Sequence, residues 1–330
     1  MRQLFNVLLS TFKGAELVNM LLKDEEALNY LAGAILMTFP WLGIVLGTWG
    51  FIWGALMLLA VFLVGRRRGL PIATLSLLIG YVAPLIGFGA TAFKLMSFVP
   101  LAGLLGVLGW HKHWPVRVTF FWSAALAAVL GTIPTLPFMV QGFSALTASD
   151  MINTTVQQYQ ASGLLAMMQQ QGITEVQVRD LLQQGIQIYA LILPSFAALL
   201  ALVEFGFVFY FVRIWFNEDE GRIPFTHWRL PWYAVWGAVL GIACYLLGDQ
   251  FSWTVLRVLG INLMVVYGAL TLVLGASVFV YLLQSPKIPR FLKFTLIIAS
   301  FIFFYFSVVS LIMFGLFDLV FNFRRLPEEL

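Results

Sequence analysis

The side chains able to do bond-making chemistry are few. His111, His113 and His227 are the three imidazoles and Cys244 is the one thiol. His111-Lys112-His113 offers two nitrogens, but with no carboxylate or thiolate near them in sequence a tetrahedral metal site stays incomplete. No GxSxG elbow accompanies the histidines, and zinc-protease patterns and paired intramembrane aspartates are missing too. Nowhere does the chain carry the phosphate-cradling GxxxxGK[ST] loop. Gly87-Phe88-Gly89-Ala90-Thr91-Ala92 imitates part of a dinucleotide fingerprint, yet the run before it reads as a membrane helix rather than a strand. The expectation is a protein that is not an enzyme and uses no metal or cofactor. Cys244 lies in an apolar run and reads as a buried thiol.

What remains are polar groups inside apolar runs. Glu204 is flanked by Leu202, Val203, Phe205 and Phe207. An ionisable residue in such a run is costly and marks a functional candidate; it can carry a proton or hydrogen-bond a neighbouring helix. Thr38, Tyr81, Ser97, Thr135 and Ser195 lie near Pro40, Pro84, Pro100, Pro134 and Pro194. A proline removes a helix bond and frees a carbonyl, and irregular backbone at membrane depth must face protein or a wet cavity. These residues, with Lys94 as a cation that either snorkels to the surface or meets an anionic group, are the candidate ligand-binding set.

The elements that position them follow from composition. Of the 330 residues 61% are hydrophobic and 10% charged, with mean hydropathy +0.92, which leaves too little polar surface for a water-exposed globule. The apolar runs do not alternate as barrel strands do. The fold class expected is all-α, a polytopic transmembrane helical bundle of about nine spans (eight to ten), at 28–46, 50–64, 71–90, 95–109, 117–139, 188–213, 232–248, 258–283 and 292–316. Residues 1–27 read as a cytoplasmic amphipathic lead-in rather than a cleaved signal peptide. The Gln-rich segment 141–187 reads as a pair of amphipathic helices, Ser149-Asp150 capping the first and a Thr174–Gln177 capping box starting the second, which runs on into the sixth span. The domain plan is thus a six-helix core over 28–213, a loop at 214–231, three further spans over 232–316 and a tail at 317–330.

With the N-terminus in the cytoplasm, fourteen of the nineteen Lys and Arg residues fall inside, the bias that sets membrane topology. The kinked halves of the spans and the Gln-rich segment then share the outer side. Nine spans leave Arg324 and Arg325 on that side against the bias; a hairpin within the last apolar stretch would instead return the tail inside. Trp228, Arg229, Pro231, Trp232, Asp318, Arg324 and Arg325 read as membrane-anchor or partner-docking residues, Asp318 as an interfacial anchor.

The segment Phe225-Thr226-His227-Trp228-Arg229-Leu230-Pro231-Trp232 and the tail Gly315–Leu326 resemble two signatures of the YybS-like bacterial membrane proteins, a domain of unknown function. The basic loop at Gly65–Gly69 and the long polar insertion before span 6 follow the same order of elements. The front six helices of that family are distantly similar to the S components of energy-coupling-factor transporters, which bind a small vitamin or metal from the outer face and work with separate membrane and ATPase subunits. The resemblance implies a multi-pass protein of the bacterial cytoplasmic membrane that contacts lipid, no nucleic acid, and binds or transports a small solute through an outward-facing pocket, with membrane partner subunits. Span 1 lacks the Ala-x-x-x-Ala pattern of many S components, and no substrate residue carries over. The other reading is a membrane scaffold or assembly factor without a ligand, working through the 214–231 loop.

A cysteine placed within 141–187 is expected to react with an impermeant reagent added outside intact cells. Reaction only after the membrane is opened would invert the orientation.

Overall fold

The computed structural model describes residues 31–36, 50–89, 96–141, 144–216, 224–286 and 288–326. The lead-in, Thr38, Pro40 and Lys94 lie outside the described residues. Twelve α-helices follow in order among those described: α1 Gly50–Arg68, α2 Leu70–Phe88, α3 Pro100–His111, α4 Val116–Thr132, α5 Leu136–Gln141, α6 Ala145–Ala161, α7 Leu164–Gln170, α8 Glu175–Trp215, α9 Val235–Gln250, α10 Thr254–Gln284, α11 Arg290–Ile302 and α12 Phe304–Phe321. No strand occurs among the described residues. Among the described residues seven helical stretches are long and apolar enough to cross a membrane: Gly50–Arg68, Leu70–Gly87, Val116–Phe138, Glu175–Trp215, Trp232–Gln250, Thr254–Gln284 and Phe304–Phe321. A helical membrane bundle is therefore the architecture.

The expected span 28–46 lies mostly outside the described residues, and two others differ. Of the run 95–109, the described residues are helical only from Pro100, because proline takes the first helical position, where no N–H is needed; Met96–Val99 is irregular backbone. The run 292–316 is not one span but α11 and α12, parted at Phe303 with φ −102° and ψ 50°. At about 1.5 Å per residue the 13 residues of α11 fall short of crossing ~30 Å of hydrocarbon.

The chain divides into two compact units. The first comprises Met1–Leu130 and Ala201–Asp219, the second Gly131–Leu200 and Glu220–Leu330. In the first, the core is Leu58, Phe62, Val99, Ala102, Val107, Ala124, Ala127, Ala201, Phe205, Val208, Phe209 and Val212. Glycines let α3 sit close to its neighbours, since without a driving force from water, membrane helices depend on close packing. A Cβ on Gly106 would stand 2.6 Å from the Phe62 ring, and one on Gly109 2.5 Å from Thr119. The pairs Leu58–Gly103, Phe62–Gly106 and Gly65–Val107 make α3 run alongside α1 in the same direction. Gly54–Glu204 and Phe62–Phe209 do the same for residues 201–215 of α8.

In the second unit α9 and α10 form an antiparallel pair in which Gly248 abuts Arg257, Gly260 abuts Tyr245 and Gly241 abuts Leu263 and Met264. A Cβ on Gly275 would collide with the backbone of Leu311, and one on Gly315 with that of Thr271. Beyond this crossing Ser277 and Asp318 share one guanidinium, so α12 runs parallel to α10. The Gln-rich segment builds a small cap with its own core of Val156, Leu165 and Val178. The capping box forms as expected: Thr174 N–H donates to Gln177 Oε1 at 2.8 Å and Gln177 N–H to Thr174 Oγ1 at 3.3 Å. The first cap is Ser144, not Ser149-Asp150, which lie inside α6; Ser144 Oγ accepts from Thr147 N–H. There are three cap helices rather than two, because Gly163 and Gly172, both at positive φ, turn the chain after α6 and after α7.

Pro194 breaks the bonding of α8, and the second unit answers with a side chain from α10. Asn262 Oδ1 accepts from Ser195 N–H at 2.8 Å, and its Nδ2 donates to Leu191 O at 2.8 Å and Val258 O at 2.9 Å. Ser195 N–H and Leu191 C=O belong to one helical turn, so a single amide bridges both at the proline. Asn262→Leu is expected to leave buried groups unpaired at a cost of about 1–3 kcal/mol, read as a lower melting temperature in detergent. An unchanged melting temperature would contradict this role.

Candidate functional site

Among the described residues the ligand-binding candidates separate by unit. Tyr81, Ser97 and Glu204 fall in the first, Thr135 and Ser195 in the second. The latter two are turned onto their own backbones: Thr135 Oγ1 donates to Thr132 O at 2.7 Å and Ser195 Oγ to Ile192 O at 2.6 Å. Of the five prolines, Pro84 and Pro194 lie inside α-helices, Pro100 starts α3 and Pro134 sits in a 3-10 turn, Ile133–Thr135.

Tyr81 and Ser97 are brought together. Tyr81 Oη donates to Ser97 O at 2.6 Å, pinning the irregular Met96–Val99 backbone to α2. The Tyr81 ring lies parallel to that of Phe98, with centroids 5.5 Å apart and 9° between planes, an arrangement aromatic pairs favour when offset. Met96, Phe98 and Val99 are buried, as non-helical backbone at this depth requires.

Glu204 is 4% exposed, and its Oε1 has no hydrogen-bond partner. It lies where α1 has no side chain: a Cβ on Gly54 would stand 2.5 Å from Oε1. Its carboxyl is within electrostatic range of Tyr81. Tyr81, Ser97, Gly54 and Glu204 thus gather at the end of the first unit where α1 begins. The described Lys and Arg residues of that unit, Arg66, Arg67, Arg68, Lys112, Arg117 and Arg213, lie at the opposite end. There Arg66 stacks on Trp110 at 5.1 Å and Phe216 at 5.0 Å.

The anchor residues form a different device, within the second unit. Arg324 and Asp318, side chains 1% and 2% exposed, pair at 2.7 Å. The guanidinium also donates to Thr226 O at 2.6 Å, Ser277 Oγ at 2.7 Å and Trp228 O at 2.8 Å. Ser277 Oγ in turn donates to Phe225 O at 2.6 Å. Asp318 is therefore no interfacial anchor but half of a buried pair, and the tail is fixed beside the 225–228 segment. The expected placement of the tail opposite that segment fails because α11 and α12 form two helices, not one. Asn322, at positive φ, closes the tail turn through its amide to Leu326. Trp228 and Trp232 are exposed, Arg229 and Pro231 partly so, and Arg325 is exposed.

Sequence reasoning missed Asn262, Phe98, Ser277 and Gly54. Asn262 carries a signal, being a carboxamide within a long apolar run; Gly54 and Phe98 carry none, because their roles arise from close approach and stacking.

A family model described as predicted membrane protein (DUF2232) matches residues 31–319. No curated protein and no solved structure matches the chain.

Arg324→Met, which strands a buried carboxylate and two carbonyls, is expected to cost about 3–5 kcal/mol of stability. Arg325→Met, at the exposed neighbour, should stay within about 0.5 kcal/mol. Equal melting temperatures for the two variants would contradict the clasp.

Proposed function

The chain belongs to the DUF2232 family of predicted membrane proteins, and we propose that this multi-pass protein captures a small solute in the first unit, at the end that carries Glu204. The observation that carries the reading is Glu204 itself, buried with an unpartnered oxygen. Burying an unpaired ion costs several kcal/mol, a cost a fold retains when the group has a task. Two neighbours support it. Irregular backbone beside a charged residue inside a helical bundle is the arrangement from which transporters build midplane sites, and Gly54 leaves room against α1 for the carboxyl.

In this reading the protein lies in the bacterial cytoplasmic membrane with the arginine-rich end of the first unit inside and the Glu204 end toward the outer face. The Lys and Arg distribution supports that orientation. No catalytic step is proposed. The work of the site is recognition, and any energising ATPase would be a separate subunit.

Native mass spectrometry of gently extracted protein tests the proposal. One small molecule retained per chain, released on denaturation, is the expected result. Stoichiometric partner proteins with no retained solute would overturn it and favour the scaffold reading.

A further inference from the structure

We infer that the captured solute presents a cationic or N–H-donating nitrogen to Glu204 and a flat apolar body to Tyr81 and Phe98; this rests on the capture reading. Glu204 is the one acidic residue among the described residues of the first unit. An ionised carboxylate only accepts hydrogen bonds, so the group that completes it must donate. No Lys or Arg among those described residues reaches it. Arg213, the nearest cation along α8, is nine residues on, about 13 Å by helical rise, and Arg66 on α1 is twelve residues beyond Gly54, about 18 Å. Both exceed the reach of an arginine side chain.

A metal ion does not answer the geometry. Hard cations take six to eight oxygens, and no group of three His, Cys, Asp or Glu residues suited to a metal occurs among the described residues. Recognition of an organic nitrogen needs less: one carboxylate and an aromatic face, which attracts cations through its quadrupole. Tyr81 and Phe98 supply a buried pair of rings stacked on one another, and the Tyr81–Ser97 bond holds it. Gly54 fixes the carboxyl position from the other side, because a methyl there would displace it.

The test is native mass spectrometry with fragmentation of the released molecule, on wild type, Glu204→Gln and Gly54→Ala, each first shown to be monodisperse. The expected molecule contains an amine, guanidinium or N–H heterocycle. Retention should fall at least tenfold in Glu204→Gln, and also in Gly54→Ala, which decides the matter if the glutamine variant does not fold. A retained solute that is anionic or bears only acceptors, or equal retention by folded variants, overturns this inference and leaves capture standing. A wild-type protein that retains nothing overturns both.

Discussion

Hydrocarbon offers no hydrogen-bond partner, so a polar group carried into it must be satisfied by the protein. That constraint explains most of what holds the described helices. At Pro194, where α8 cannot bond normally, the Asn262 amide reaches across from α10 and takes both a donor and an acceptor of the broken turn. At the end of α12 a single guanidinium satisfies Asp318, Ser277 and two loop carbonyls. Smaller polar groups are handled locally: Thr74, Thr271 and Ser300 each donate to the carbonyl four residues earlier. Among the described residues Glu204 Oε1, a carboxylate oxygen, is without such an answer, as are the Thr119 and Ser123 hydroxyls of the same unit.

The Arg324 clasp also accounts for sequence features nearly a hundred residues apart. The Phe225–Trp232 segment and the tail are the two stretches that carry the resemblance, and Arg324 joins them directly through the Thr226 and Trp228 carbonyls. Because α12 runs parallel to α10, the chain that leaves the loop at Pro231 comes back to it at Arg324. This puts Arg324 and Arg325 on the side of Arg229.

Much of this was legible beforehand. Long uncharged runs gave the helices, the Thr174–Gln177 box began α8 where spacing placed it, and α8 runs on into its span as one helix, as expected. The failures have physical causes. Hydropathy cannot see that Phe303 parts 292–316, because both sides are equally apolar. Proline position alone cannot distinguish a proline inside a helix, Pro194, from a helix start, Pro100. Ser144 outcompetes Ser149 as a cap because the helix begins earlier than composition implies. Of the candidate site, Glu204, Tyr81 and Ser97 were visible as polar groups in apolar surroundings. That Thr135 and Ser195 bond their own backbones was not, since a hydroxyl's partner depends on its rotamer.

The account turns on whether the Glu204 carboxyl is completed from outside the protein. A high-resolution cryo-electron microscopy map of the protein in lipid nanodiscs, prepared without added ligand, addresses this directly. Non-protein density within hydrogen-bonding distance of the Glu204 carboxyl, lying against the Tyr81–Phe98 pair, is what the account predicts. A carboxyl capped by one of the chain's own groups, with side chains filling the space around it, would contradict it.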